Sequence, residues 1–81
     1  MLNDEKNKEF LDQIYYTMAE VYLKEAVEKT PDQPLVRYHL GMAYYKNGNL
    51  IFARKELTYA LKIKPNFPGS DEARATLAKI K

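Results

Sequence analysis

The stretch Pro34–Pro65, PLVRYHLGMAYYKNGNLIFARKELTYALKIKP, decides the fold. Apolar residues recur three and four apart on both sides of Asn47-Gly48-Asn49, the spacing of one face of a helix. Asn47-Gly48-Asn49 offers backbone positions that accept positive φ, so the stretch reads as two helices joined by a tight turn. The first is expected over about Gln33 to Lys46, with Asp32 as N-cap and Pro34 in the first turn, where amides are unpaired anyway. The second is expected over about Leu50 to Ile63, ended by Pro65.

Upstream, Asp4 to Lys29 contains neither proline nor glycine. Phe10, Leu11, Ile14, Tyr15, Met18, Ala19, Val21, Tyr22, Leu23, Ala26 and Val27 give it a broad apolar face at helical spacing. Asp4, Glu5 and Glu9 lie near its start, where acids suit the helix dipole. Thr30-Pro31 ends it, because the residue before proline avoids the α region. Met1 to Asn3 are expected to fray. Downstream, Asn66-Phe67-Pro68-Gly69 is a turn. Ser70 is expected to cap a short last helix, with a thin stripe at Ala73, Leu77 and Ile80. Alternation of the β type never persists, so the fold class is all-α.

Eighty-one residues allow one small domain, 1–81. The composition, 46% hydrophobic and 30% charged, suits a soluble chain and argues against disorder. Without cysteine there is no disulfide framework and no thiolate metal site. No apolar run approaches the ~18 residues of a membrane span, and the polar start has no signal-peptide core. The default expectation is a soluble, cytoplasmic chain. Net charge is only +2, but residues 1–33 carry eight acids and four bases, whereas residues 34–81 carry nine bases and three acids. Such asymmetry suits contact between unlike halves of neighbouring molecules.

At an offset of 34 residues the chain matches itself: Ala19 with Ala53, Leu23 with Leu57, Ala26 with Ala60, Pro31 with Pro65, and Pro34 with Pro68. Within one period, Leu40-Gly41, Tyr44, Ala53, Leu57, Ala60 and Pro65 stand at the spacings of the tetratricopeptide repeat, which the chain resembles. Arg37 departs from the pattern, where that family favours Trp. The complete repeat covers 34–67, residues 4–29 are a degenerate repeat or one helix, and 70–81 read as a capping helix. Small Gly41, Ala53 and Ala60 let two helices approach closely, while Leu40, Tyr44 and Leu57 fill the space beside them. In the degenerate unit the turn would fall near Gln13 to Tyr15, where no turn former exists. Lys6-Asn7 replaces Leu-Gly, and Phe10 replaces Tyr. A continuous first helix is the expectation, with Phe10, Leu11 and Ile14 projecting past their own partners and seeking another chain. A compact monomer with a distorted first turn is the alternative. The last helix keeps a polar face with Arg74 and Lys79 and rests Ala75 and Leu77 on the third helix. It suits the end of a longer array, or a minimal array complete in itself.

The resemblance implies a helical-hairpin array, a fragment of a right-handed superhelix, that binds proteins through a concave groove lined by the first helix of each pair. Carried over by position, the partner-binding residues are Leu35, Tyr38, His39, Met42, Tyr45 and Lys46, with Glu72, Thr76 and Lys79 from the last helix. Packing of Tyr38 and Met42 against neighbouring helices is the competing reading. Some family members clamp a chaperone's terminal carboxylate with Lys, Asn and Arg in this groove. Tyr38 and Met42 stand at such positions here, so that clamp is not expected.

No cofactor or catalytic residue is expected. His39 is the only histidine, and the spacing places no nucleophile, orienting acid or second metal ligand beside it. Gly41, Gly48 and Gly69 are isolated landmarks of the repeat, not a phosphate loop. Pro31-x-x-Pro34 and Pro65-x-x-Pro68 mark repeat boundaries. Arg54, Lys55 and Lys62, with Tyr59 among them, lie on the outer helix, whose face is normally solvated, so nucleic acid is not an expected partner. The expected function is a non-catalytic adaptor or assembly module. Its rivals are a homo-oligomerisation element with exchanged helices and a regulatory appendage of a larger enzyme.

Overall fold

A computed structural model describes the backbone of residues 4–80 and the side chains from residue 13 to residue 80. Four helices follow in order: α1 Asp4–Lys29, α2 Pro34–Lys46, α3 Leu50–Ile63 and α4 Ser70–Lys79. Among the described residues there is no strand. The chain is all-α, and α2 and α3 form its central hairpin. The expected fraying of Met1 to Asn3 and the side chains of Phe10 and Leu11 lie outside the described residues.

The first helix runs unbroken for 26 residues. At Gln13 to Tyr15, where a repeat hairpin would turn, nothing relieves the chain of helical geometry. Thr17 Oγ1 even bonds back to the carbonyl of Gln13 at 2.8 Å, one turn earlier. At the equivalent place one period later the chain does turn. There the positive φ is confined to Gly48, at 82°, while Asn47 keeps φ −85° and Asn49 φ −87°.

The helix boundaries correct three sequence expectations. Gln33, not Asp32, is the N-cap of α2, with φ −94° and ψ 108° and no side-chain bond. Pro34 forces the residue before it into extended backbone, so helix 2 cannot begin at Gln33. Gly69, not Ser70, occupies the N-cap of α4, with φ 103°. The turn after Pro68 needs a left-handed residue, and Ser70 falls one place inside the helix, buried. Ile80 lies past the end of α4 in extended backbone, yet is buried beside Leu40, Tyr44 and Ala53. Ala75 is exposed and does not rest on α3. The buried face of α4 follows Ser70, Ala73 and Thr76, and a residue two places from Ala73 points the other way.

The α2–α3 crossing depends on small side chains. A Cβ added to Gly41 would lie 2.7 Å from Cγ and Cδ2 of Leu57 and 3.2 Å from its amide nitrogen. Leu57 cannot retreat, since it is wholly buried, as are Ala53, Ala60 and Ala73. Two clusters result. Tyr38, Leu57, Ala60 and Ala73 fill one end of the hairpin, and Leu40, Tyr44, Ala53 and Ile80 fill the other.

Arg37 holds the hairpin by a different chemistry. Its Nη1 donates to Glu56 Oε1 at 2.9 Å, its Nε donates to the Pro31 carbonyl at 3.1 Å, and its guanidinium lies 4.3 Å from the centre of the Tyr59 ring. A buried carboxylate such as Glu56 is tolerable only because this planar cation meets it. Arg74 similarly ties α4 to the end of α3 by donating to the Pro65 carbonyl.

Candidate functional site

Two surfaces beside α2 define the site. On one side α4 packs against α2 so that residues one period apart become neighbours. Tyr38 Oη donates to Glu72 Oε2 at 3.0 Å, and Thr76 Oγ1 donates to Met42 Sδ at 3.6 Å. Tyr38 and Thr76 are buried in this contact, and Met42 is half-buried. Burial, seconded by the Glu72 bond, raises the Tyr38 phenol above its ordinary value, because both favour the protonated form. Tyr45 is half-buried, whereas Leu35, His39, Lys46, Glu72 and Lys79 are exposed. The nine residues expected at the groove therefore divide. Four hold α2 and α4 together through side-chain bonds, Tyr45 packs half-buried against the second cluster, and Leu35, His39, Lys46 and Lys79 present the free surface.

On its other side α2 meets the C-terminal half of α1. Asn47 Nδ2 fastens this junction by donating to the Tyr16 carbonyl at 3.0 Å and to Glu20 Oε2 at 2.9 Å. Lys24 Nζ stands 3.3 Å from Glu20 Oε1 and 5.6 Å from the centre of the Tyr44 ring. Desolvation raises the Tyr44 phenol against the lowering pull of Lys24. Above the junction opens a groove of about 610 Å³. His39, Met42 and Ala43 form its α2 wall, and Tyr15, Tyr16, Met18, Ala19, Tyr22 and Leu23 form its α1 wall. A smaller hollow of about 390 Å³ between Gln13, Ile14, Thr17 and Met18 lies further along α1.

The α1 wall was absent from the sequence-based site, although its signal was present. Ala19, Leu23 and Ala26 repeat Ala53, Leu57 and Ala60 of α3, which are fully buried between α2 and α4. An unbroken α1 has α2 on one flank but lacks a hairpin partner of its own. The same face is consequently left half open: Tyr22 is 73% exposed where its counterpart Glu56 is 8% exposed.

The groove's chemistry is that of recognition. Tyr and Met side chains supply apolar, adaptable contact with polar tips. Among the described residues, no group of three His, Cys, Asp or Glu stands together as a metal site would require. No described helix is long and apolar enough to cross a membrane.

Residues 34–67 match the family model described as Tetratricopeptide repeat. No curated protein and no solved structure matches the chain.

Proposed function

With residues 34–67 a tetratricopeptide repeat, the general role of whose family is protein–protein interaction, we propose that the chain is a non-catalytic adaptor or assembly module. It takes a partner segment along α2, in the groove that α2 shares with α1. The observation that carries this reading is the groove itself: Tyr15, Met18 and Tyr22 stand exposed opposite His39 and Met42, with no described helix over them. Leu35, Lys46 and Lys79 extend the contact surface beyond it, with Glu72 held by Tyr38 and Met42 by Thr76. No nucleic acid, metal or cofactor enters this reading.

A second reading, self-association through α1, is favoured by the exposure of Ile14 at 41%, Met18 at 67% and Val21 at 59%. The two readings share Met18, which lines the groove, while Ile14 and Val21 lie beside it.

The test replaces His39, and in a separate variant Lys55, by a photocrosslinking amino acid in the full chain within its source cells. His39 borders the groove, while Lys55 lies on the exposed outer face of α3. Protein adducts formed at position 39 and not at position 55 are expected. Adducts that form equally at both positions, or only at 55, overturn the groove reading.

A further inference from the structure

The groove of about 610 Å³ between α1 and α2 lies where the 34-residue period would place another helix. In the complete repeat, α3 is flanked by α2, its hairpin partner, and by α4, the next helix along. The C-terminal half of α1 stands one period before α3 and, among the described residues, has only α2, the next helix along. The segment that the period assigns to the vacant flank is the N-terminal half of α1. An unbroken helix carries that segment away from its own groove.

We infer that this groove is filled by the N-terminal half of α1 from a second copy of the chain, reciprocally, in a two-fold dimer with the two first helices antiparallel. The inference rests on the groove being a protein-binding surface, and it names the occupant.

Three further observations support a second copy. The first is area. A compact monomer of 9.5 kDa exposes about 5,000 Å². This chain exposes 6087 Å², a surplus on the order of 1,000 Å². A stable interface takes about 800 Å² from each partner, so the surplus is sufficient. The second is charge. Residues 4–13 carry four acids against two lysines, while α2 carries no acid and presents exposed Lys46. The third is the reason for exchange in place of closure. At Gly41 an added Cβ strikes Leu57, and one period earlier Asn7 faces Leu23 in the corresponding pairing. A three-residue turn would hold those helices too close for asparagine. A helix arriving from another copy is free of that tether and can sit slightly further out.

Pairing of α2 with α3 predicts the register of the dimer. The Tyr44 ring lies 5.4 Å from the Phe52 ring, and one period earlier these positions are Phe10 and Met18. Within one unbroken helix, positions 10 and 18 are about 12 Å apart, too far for a disulfide. Across the proposed dimer they meet. The chain has no native cysteine to interfere.

The experiment uses the full chain. Sedimentation equilibrium at tens to hundreds of micromolar is expected to give twice the 9.5 kDa chain mass. Met18→Glu, at a site exposed within the single chain, is expected to keep its helical circular dichroism and weaken association about tenfold or more. Oxidation of Phe10→Cys/Met18→Cys is expected to give a covalent dimer faster than either single variant does. A monomer at all these concentrations, an intrachain disulfide, or cross-linking no faster than in the single variants overturns the inference. A monomer whose position 39 still captures a different protein spares the groove reading and removes only the second copy as occupant. Capture that fails at position 39 removes the groove reading itself.

Discussion

At the scale of single residues, the fold turns on the absence of a side chain at Gly41. Its hypothetical Cβ would meet a leucine with no exposed surface to move into. Gly41→Ala is therefore expected to destabilise the chain by about 1–3 kcal/mol through overpacking, lowering the melting temperature by roughly 4–8 °C per kcal/mol. Thermal unfolding followed by circular dichroism checks this, and an unchanged melting temperature contradicts it. Tyr38 sets a pH limit. Its phenol is raised above the ordinary 10.0, first by burial and then by Glu72. The folded chain keeps that proton after the unfolded chain has lost it, so stability falls as pH rises from about 10 through the raised value. Tyr38→Phe is expected to flatten this alkaline loss, measured as urea midpoints between pH 9 and 11. Equal slopes in both proteins contradict the assignment. Ala53, Leu57 and Ala60 were legible because their sizes repeat at fixed spacing, and Gly41 because it stands beside Leu40 at a set distance from them. The buried Glu56 was not, because its burial depends on Arg37 arriving from another helix, which spacing alone does not place.

At the scale of elements, α1 is the informative one. Its periodicity was readable, as was the missing turn former at Gln13 to Tyr15. The cap positions were read less well: Asp32 and Ser70 have the right side chains, but Pro34 and Gly69 dictate the backbone, and backbone geometry decides where a helix begins. The groove's α1 wall was overlooked for a related reason. Family spacing describes a closed hairpin, whereas the open helix exposes a face that closed hairpins bury. Restoring the hairpin chemistry should close it. The combined variant Asn7→Gly/Gln13→Asn/Ile14→Gly/Tyr15→Asn supplies both the close crossing and the turn. It is expected to be a monomer with a radius of gyration near 12 Å, the value for a compact chain of this length. Small-angle scattering reads this directly, and a particle no more compact than the wild type contradicts the account of α1.

At the scale of the whole molecule, the chain is elongated, 48 × 28 × 22 Å, with a radius of gyration of 13.6 Å. The elongation, the surplus surface and the groove share one cause: the N-terminal half of α1 extends the helix and does not fold back. The all-α class and the 34-residue period were visible in the sequence because each is a local pattern. The open groove depends on which of two nearly equivalent paths residues 13–15 take, and that choice is made by the balance of helix propagation against a poor turn. One measurement addresses it. Spin labels attached through Lys6→Cys and Glu25→Cys, in a chain diluted with excess unlabelled protein, report the distance within a single molecule by electron–electron resonance. Along an unbroken helix these positions are separated by about 28 Å, and that is the expected result. A distance near the 8–10 Å spacing of packed helix axes would show α1 folded back on itself and would contradict the account.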